Sequence, residues 1–511
     1  MLSELPADES NAPLAPVAEP IFAETLAPEA AEIDPEEIVE EAEQLLREGA
    51  PHDFDVLVIG AGPGGLAAAL GAAGGGLHVA VVEAGEVGGV CLNRGCIPTK
   101  TLLESVGVLR LMRRAKGFGI DLSGEISPDF GAMQARKAEV VAHLRAHTRE
   151  TLEEAGVEIL QGHARFVEED TLEIENEGQV RRVTAVSVVI AVGGIPSRLP
   201  IPGADLALVV TSDEILEQNF VPTSLVVAGA GAVGIEFASI FAELGSKVTI
   251  IEKMDAIMAG EDEDIQAAMG DSLREMGIEV HTGASMERIE AGNGVLSVVF
   301  EKNGIEQTLQ THQLLMATGR SANLEGLGLA EAGIEVEGGK IKVDERRQTG
   351  VSGVYAIGDC IRRVGWAHQA ALEGREAADG ILGLDSDIDA RFVPACYYTF
   401  PEVASVGLSI QAARELGIPA RAGKFPFRAN ERAAALGDNG GFVKLVIEEE
   451  SERLLGCQII GPHATELINE VSLALRSGAT AGAFADALHA HPTFAEVLPG
   501  AARAALEGRS G

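Results

Sequence analysis

The chain has 511 residues, with 78 acidic against 39 basic side chains and a formal net charge of −39. That length accommodates about two to four domains with well-buried cores, and the charge excludes nucleic acid and anionic membrane as partners, because either would repel this surface. Five scattered cysteines and no cysteine–histidine cluster exclude a disulfide scaffold and a zinc site, so no metal is expected and a reducing, cytoplasmic setting fits.

Residues 1–50 contain fourteen acidic residues and a single base, Arg47, which excludes a basic organellar presequence. Up to about Ala31 the composition predicts disorder. Asp34-Pro35-Glu36-Glu37 then reads as an N-cap, an N1 proline and a capping-box acid, predicting a short acidic helix with Ile38, Val39, Ala42, Leu45 and Leu46 on one face. This segment suits either a solvated tail or a docking helix for a larger assembly.

A strand–turn–helix–strand unit follows. Val56 to Ile59 is a continuous apolar strand, Gly60-Ala61-Gly62-Pro63-Gly64-Gly65 turns, Leu66 to Ala73 is helical, and Val79 to Val82 is the next strand. The apolar run 62–82 imitates a membrane span, but its glycines and His78 predict a buried unit instead. The same layout recurs with Leu225 to Ala228, Gly229-Ala230-Gly231-Ala232-Val233-Gly234, Ile235 to Leu244 and Val248 to Ile251. In such a unit the first glycine permits a tight turn, the second lets the backbone approach a pyrophosphate, and the third lets helix pack on strand. The helix N-terminus then offers free N–H groups to the phosphates. Gly60, Gly62 and Gly65, and Gly229, Gly231 and Gly234, are therefore candidate nucleotide-binding residues. Glu83 lies 23 residues after Gly60, and Glu252 lies 23 after Gly229, so each unit ends in a carboxylate able to accept from ribose hydroxyls. Glu252 also favours NAD over NADP, since it would repel a 2′-phosphate.

Between these units, Gly88-Gly89-Val90-Cys91-Leu92-Asn93-Arg94-Gly95-Cys96-Ile97-Pro98-Thr99-Lys100 runs from a Gly-rich turn into a helix. Pro98 suits a first helical turn, and Leu102, Leu103, Val106 and Leu109 continue at helical spacing. A cysteine at a helix N-terminus is biased towards thiolate. Taken alone, Cys91 and Cys96 fit a structural disulfide, two unrelated thiols or a redox pair. Glu168 to Ile190 alternates as a small antiparallel insertion, and Cys360, Cys396 and Cys457 are expected as buried small apolar residues. From Arg391 onward, strands at 442–447 and 455–460 mix with helices at 463–477 and 480–489, a separate α+β block. His489-Ala490-His491-Pro492-Thr493-Phe494-Ala495-Glu496 offers a histidine in the right range to take a proton and a carboxylate to orient it. Thr493 and Glu496 equally form a capping box. Pro499-Gly500 predicts a kink in the terminal helix.

Residues 52–511 resemble the FAD-dependent pyridine nucleotide–disulfide oxidoreductases, dihydrolipoamide dehydrogenases above all. The redox tridecapeptide, the paired cradles, Gly353-Val354-Tyr355-Ala356-Ile357-Gly358-Asp359, Ala317-Thr318-Gly319-Arg320 and the histidine segment carry the likeness. The resemblance implies an α/β fold with two Rossmann-like domains, binding FAD and NAD, plus a C-terminal α+β dimerisation domain. It divides the chain into a tail (1–50), a discontinuous FAD domain (51–198 and 320–388), an NAD domain (199–319) and an interface domain (389–511). FAD falls to the first cradle, with Asp359 at its ribityl–phosphate region, Gly162 and Ala367 as further contacts, and Lys100 paired with Glu236 near the flavin N5. Ala317 and Gly319 close the nucleotide domain against the flavin; their first-domain counterpart, Ala191-Val192-Gly193-Gly194, has valine for the usual threonine.

The resemblance also implies that Cys91 and Cys96 form a redox disulfide, with Cys91 facing substrate and Cys96 facing flavin. His491, oriented by Glu496, is then the base and reaches the disulfide of the other subunit of a homodimer. The implied reaction oxidises protein-bound dihydrolipoamide to lipoamide and passes the electrons through Cys91–Cys96 and FAD to NAD+. The implied partners are lipoyl domains of 2-oxoacid dehydrogenase or glycine cleavage complexes. Rival readings are a glutathione- or mercuric-reductase-like enzyme and a non-enzymatic flavoprotein scaffold. No arginine pair for a 2′-phosphate follows Glu252, and no C-terminal cysteine pair is present. Arg94 departs from the small apolar residue frequent in relatives, and either tunes the thiolate or points to solvent.

Overall fold

The computed structural model describes residues 52–124, 126–362, 365–385 and 392–508. The acidic tail and its expected helix lie outside the described residues. Among the described residues, no helix is long and apolar enough to cross a membrane.

The first layered unit begins with β1 (Phe54–Ile59), buried except at Asp55, as a strand with both faces covered should be. α1 (Pro63–Gly74) starts inside the glycine motif, earlier than Leu66, because Pro63 at N1 is preset for a helix and has no N–H to waste. β2 (Val79–Glu83) pairs parallel with β1, Val58 opposite Val81. Three helices follow, α2 (Gly89–Arg94), α3 (Cys96–Arg114) and α4 (Phe130–Glu154), and then β3 (Glu158–Gln161), β4 (His163–Phe166), β5 (Thr171–Asn176) and β6 (Gln179–Ile190). The expected antiparallel insertion exists, β4–β5–β6, but it is not separate from the parallel sheet. β6 is long enough, at 12 residues, for its first half to pair with β5 and its second half with β1, Ala185 opposite Phe54 and Ile190 opposite Ile59.

Gly194–Pro196 pairs antiparallel with Arg320–Ala322, and between these crossings lies a second parallel sheet. Its elements are β7 (Val209–Thr211), α5 (Ser212–Glu217), β8 (Ser224–Ala228), α6 (Ala232–Glu243), β9 (Lys247–Ile251), α7 (Glu263–Glu275) and β10 (Glu279–His281). An antiparallel trio, β11 (Ala284–Gly292), β12 (Val295–Lys302) and β13 (Ile305–Thr311), precedes β14 (Gln313–Met316). The parallel order is β10–β9–β8–β14–β7. The chain then returns to the first sheet, where β15 (Val354–Ala356) pairs with β6. α8 (Ala367–Ile381) lies on α1 so closely that a Cβ at Gly374 would overlap the carbonyl of Gly64.

The C-terminal block is α+β as expected. It contains β16 (Ala395–Tyr397), β17 (Glu402–Gly407), β18 (Ala420–Pro426), α9 (Glu431–Leu436), β19 (Phe442–Glu448) and β20 (Leu454–Gly461), followed by α10 (Ala464–Arg476), α11 (Ala481–Asp486) and α12 (Val497–Leu506). The strands form an antiparallel sheet, β16–β17–β20–β19–β18. Pro499-Gly500 does not interrupt the terminal helix. A 3₁₀ turn at Phe494–Glu496 comes first and α12 starts at Val497, so Pro499 falls in a first turn where no donor is lost. Gly500 lets the helix approach β18, since a Cβ there would come 2.5 Å from the Phe425 ring. Cys360, Cys396 and Cys457 are buried, as their apolar reading requires.

Candidate active site

The redox segment is held against the first cradle backbone to backbone. Gly88 N–H donates to Ala61 O at 2.7 Å, and a Cβ on Gly89 would come 2.6 Å from the Gly62 Cα. Cys91 lies on the short helix α2 rather than in a turn, and Cys96 is the first residue of α3, with Pro98 in its first turn. Both are free thiols, and both line one cavity of about 1260 Å³. The two sulfurs are unequal. The Cys91 thiol donates to Cys96, which together with the Lys100 ammonium one turn further on pulls Cys96 down to about 7 despite its burial. The same hydrogen bond and burial push Cys91 far up, so the proton stays on Cys91 and the thiolate forms on Cys96.

Lys100 Nζ donates to both oxygens of the buried Glu236, at 2.9 and 2.8 Å. Tyr398 N–H donates to Glu236 Oε1 at 3.0 Å, and its ring stands 4.7 Å from Lys100 Nζ. The expected lysine–glutamate pair is thus brought together across α3 and α6. Tyr398 gave no local signal, because both its backbone N–H and its ring meet this pair across segments distant in sequence.

Gly60, Gly62, Glu83, Gly162, Asp359 and Ala367 line the same cavity; Gly65 does not, and a Cβ on it would instead overlap Gly60 O. The middle glycines test whether a nucleotide fits. Gly62 and Gly231 have φ of −77° and −83°, and a Cβ on either would meet no protein atom closer than 3.8 Å. Neither backbone strain nor packing demands glycine there, so bare backbone is left facing space that a pyrophosphate fits. Asp359 is pushed up by burial and pulled back by Arg320, whose Nε lies 3.8 Å away. Arg320 also donates to Gly194 O and stands 3.6 Å from Asp213, so the last residue of the Ala317–Arg320 motif reaches the cavity. Arg94 approaches Asp213 as well, at 3.9 Å, with its side chain 60% exposed, so of the two expectations the solvent-facing one holds. Glu373, buried on α8, accepts from Gly358 N–H at 2.7 Å and from Arg362, bracing the turn that presents Asp359. An isolated acid in a helical stretch carries no sequence signal for that.

Gly229, Gly231, Gly234, Glu252, Ala317 and Gly319 gather at the end of the second sheet, outside this cavity. Also outside it are His491 and Glu496. His491 Nδ1 lies 2.9 Å from Glu496 Oε1, while Glu496 Oε2 accepts from Thr493 N–H at 2.8 Å. Glu496 therefore both caps the turn and orients the imidazole, and it holds His491 above the ordinary histidine range. His489 is engaged with Glu470 and Ala487 O, a structural position.

The pyridine nucleotide-disulphide oxidoreductase model matches residues 54–374, and the dimerisation domain of the same family matches 393–502. The chain belongs to this family. It is 39% identical over 455 residues to the dihydrolipoyl dehydrogenase of Geobacillus stearothermophilus, covering 89% of this chain and 96% of the relative. Among solved structures, LpdA from Mycobacterium tuberculosis superposes with a TM-score of 0.82 at 29% identity, covering 88% of this chain and 99% of that one. The HOCl-induced flavoprotein disulfide reductase RclA from Escherichia coli gives 0.79 at 28%, with the same coverage. Membership in the pyridine nucleotide–disulphide oxidoreductases implies binding of FAD and NAD, and it makes the C-terminal block a dimerisation domain.

Proposed function

We propose that this oxidoreductase oxidises dihydrolipoamide carried on lipoyl domains and delivers the electrons to NAD+. The observation that carries the reading is the unequal dithiol, Cys91 protonated and Cys96 tending to thiolate, inside a cavity that also contains the first glycine cradle. The relatives named dihydrolipoyl dehydrogenase support lipoamide as substrate.

Gly60, Gly62, Glu83, Gly162, Asp359 and Ala367 would hold FAD, and Gly231, Glu252, Ala317 and Gly319 would hold NAD. Bound there, FAD supplies two-electron chemistry between a dithiol and a nicotinamide. The residues of the chain do the rest. In the oxidised enzyme Cys91 and Cys96 form a disulfide. A substrate thiolate attacks Cys91 Sγ, the Cys91–Cys96 bond breaks, and Cys96 leaves as the thiolate that Lys100 favours. The second substrate thiol then displaces Cys91, giving lipoamide and the reduced pair.

His491 takes the proton of the attacking thiol at Nε2, with Glu496 fixing the ring from Nδ1. Because His491 lines no part of the cavity of its own chain, it serves the Cys91–Cys96 pair of a second copy, and the homodimer is the active unit. Steady-state rates with dihydrolipoamide and NAD+ or NADP+, beside glutathione disulfide with NADH or NADPH, test this. Dihydrolipoamide with NAD+ should give the highest kcat/KM; a glutathione-type disulfide with NADPH as the best pair overturns the substrate assignment.

A further inference from the structure

With Nδ1 of His491 taken by Glu496, Nε2 is the nitrogen left for a thiol. A second carboxylate stands there: Glu431 Oε2 lies 3.3 Å from Nε2. The placement is built into the backbone. Glu431 opens α9, whose N-cap Asn430 is buried, accepts from Ala433 N–H at 2.9 Å and donates through Nδ2 to Thr493 O at 2.9 Å. One side chain thus ties α9 to the loop that carries His491. A neutral ring with its proton on Nδ1 turns a lone pair towards Glu431, and two electron-rich groups at that distance repel. An imidazolium there is attracted instead.

Among the described residues of one chain, the other charged groups around the ring are few. Glu496 faces Nδ1, His489 stands behind Glu496 and is itself held by Glu470, and Arg432 lies 6.0 Å from the Phe494 ring centre. Glu496 first and Glu431 second both hold His491 above its ordinary range.

Building on the reading of His491 as the base, we propose that Glu431 is a positioning residue that steadies the proton His491 takes at Nε2 from the substrate thiol. In that step the S–H bond breaks, an N–H bond forms at Nε2, sulfur keeps its electron pair, and Glu431 remains a carboxylate. The arrangement eases proton abstraction and raises the pH below which the base is lost.

The test is Glu431→Gln in the full-length, flavin-loaded enzyme, followed by the pH profile of kcat/KM for dihydrolipoamide with NAD+. The acid limb should move to lower pH by about 0.3 to 0.7 of a unit, the size an exposed ion pair supports, and the difference should shrink in high salt. Below the parental limb the variant should outpace the parent, and Glu431→Asp should recover part of the parental profile. An unmoved limb in a variant with full flavin content overturns the proposal. His491→Gln is measured alongside: if it keeps full thiol turnover, His491 is not the base and the underlying reading falls, whatever Glu431 does.

Discussion

In both glycine cradles the acid at the end of the second strand folds back on its own loop. Glu83 accepts from Ala61 and Gly85 N–H at 2.8 Å each, and Glu252 accepts from Ala230 and Met254 N–H at 2.6 and 2.8 Å. The tight turns match as well: a Cβ on Gly60 would come 2.5 Å from Ala191 O, and one on Gly229 the same distance from Ala317 O. The surroundings differ. Over the first cradle lie the redox segment and the Asp359 turn, with α8 packed behind α1. Among the described residues, none places an atom within 4 Å of where a Gly231 Cβ would stand. An enclosed cradle suits a group that stays through turnover, and an open one suits a nucleotide that must leave each cycle. Identical local geometry thus takes its role from what covers it.

The sharpest way to break this comparison is to fill the third glycine of each cradle. A Cβ on Gly65 would overlap Gly60 O, and one on Gly234 would overlap Gly229 O, both rigid backbone. Gly65→Ala should yield protein without flavin absorbance and with a clearly lowered Tm, since a tightly bound group stabilises the fold it binds. Gly234→Ala should keep its flavin and lose about a hundredfold in kcat/KM for NAD+, the cost of a misplaced reactant. Flavin retained in Gly65→Ala and lost in Gly234→Ala would reverse the assignment.

A gentler pair of changes touches only the acids. Glu252→Gln removes a charge that accepts two backbone donors and that we propose faces the ribose, so KM for NAD+ should rise about ten- to a hundredfold, with weaker discrimination against NADP+. Glu83→Gln should instead lower flavin content and leave the KM for NAD+ of the remaining holoenzyme unchanged. Lys100→Met addresses the ion pair with Glu236, which joins the start of α3 to the helix of the second cradle. Lys100 lowers Cys96, so its loss moves that thiol up from about 7. At pH 7 the thiolate fraction should fall, but only part of the way to that of an ordinary thiol, because the hydrogen bond from Cys91, the larger cause, remains. The ultraviolet thiolate absorbance of the reduced enzyme, followed against pH, measures that change.

What was legible in the sequence divides along similar lines. Gly65 and Gly234 are demanded by close approaches to Gly60 and Gly229 five residues earlier, and Gly60 and Gly229 by the positive φ of their turns, so the local pattern announces them even though Ala191 and Ala317, far along the chain, also crowd the first glycines. Glu83, Glu252, Cys91 and Cys96 lie at fixed offsets from those turns and are found with them. Arg320, Tyr398 and Glu373 were not found as site residues, because each acquires its role from a contact between segments distant in sequence: Arg320 with Gly194, Tyr398 with Glu236, Glu373 with Gly358. The double duty of β6 and the uninterrupted run of α12 through Pro499 escaped for a related reason. Strand length and a preceding 3₁₀ turn are settled by tertiary pairing, not by local preference.

The smallest of these effects separates the two cradles from His491, the base proposed to serve the thiols. Glu496 raises His491 by favouring its charged form, and the base works only when that form has been lost, above its pKa. Glu496→Gln removes the charge, so the acid limb of dihydrolipoamide oxidation should move to lower pH. The plateau at higher pH should fall at the same time, because an amide no longer fixes the tautomer. NADH oxidation by a soluble one-electron acceptor makes no use of the thiols and should keep its parental pH profile. A shift in both profiles would mean that Glu496 acts on the fold or on the cradles themselves, and the division of labour between a histidine on one chain and a dithiol on its partner would lose its support.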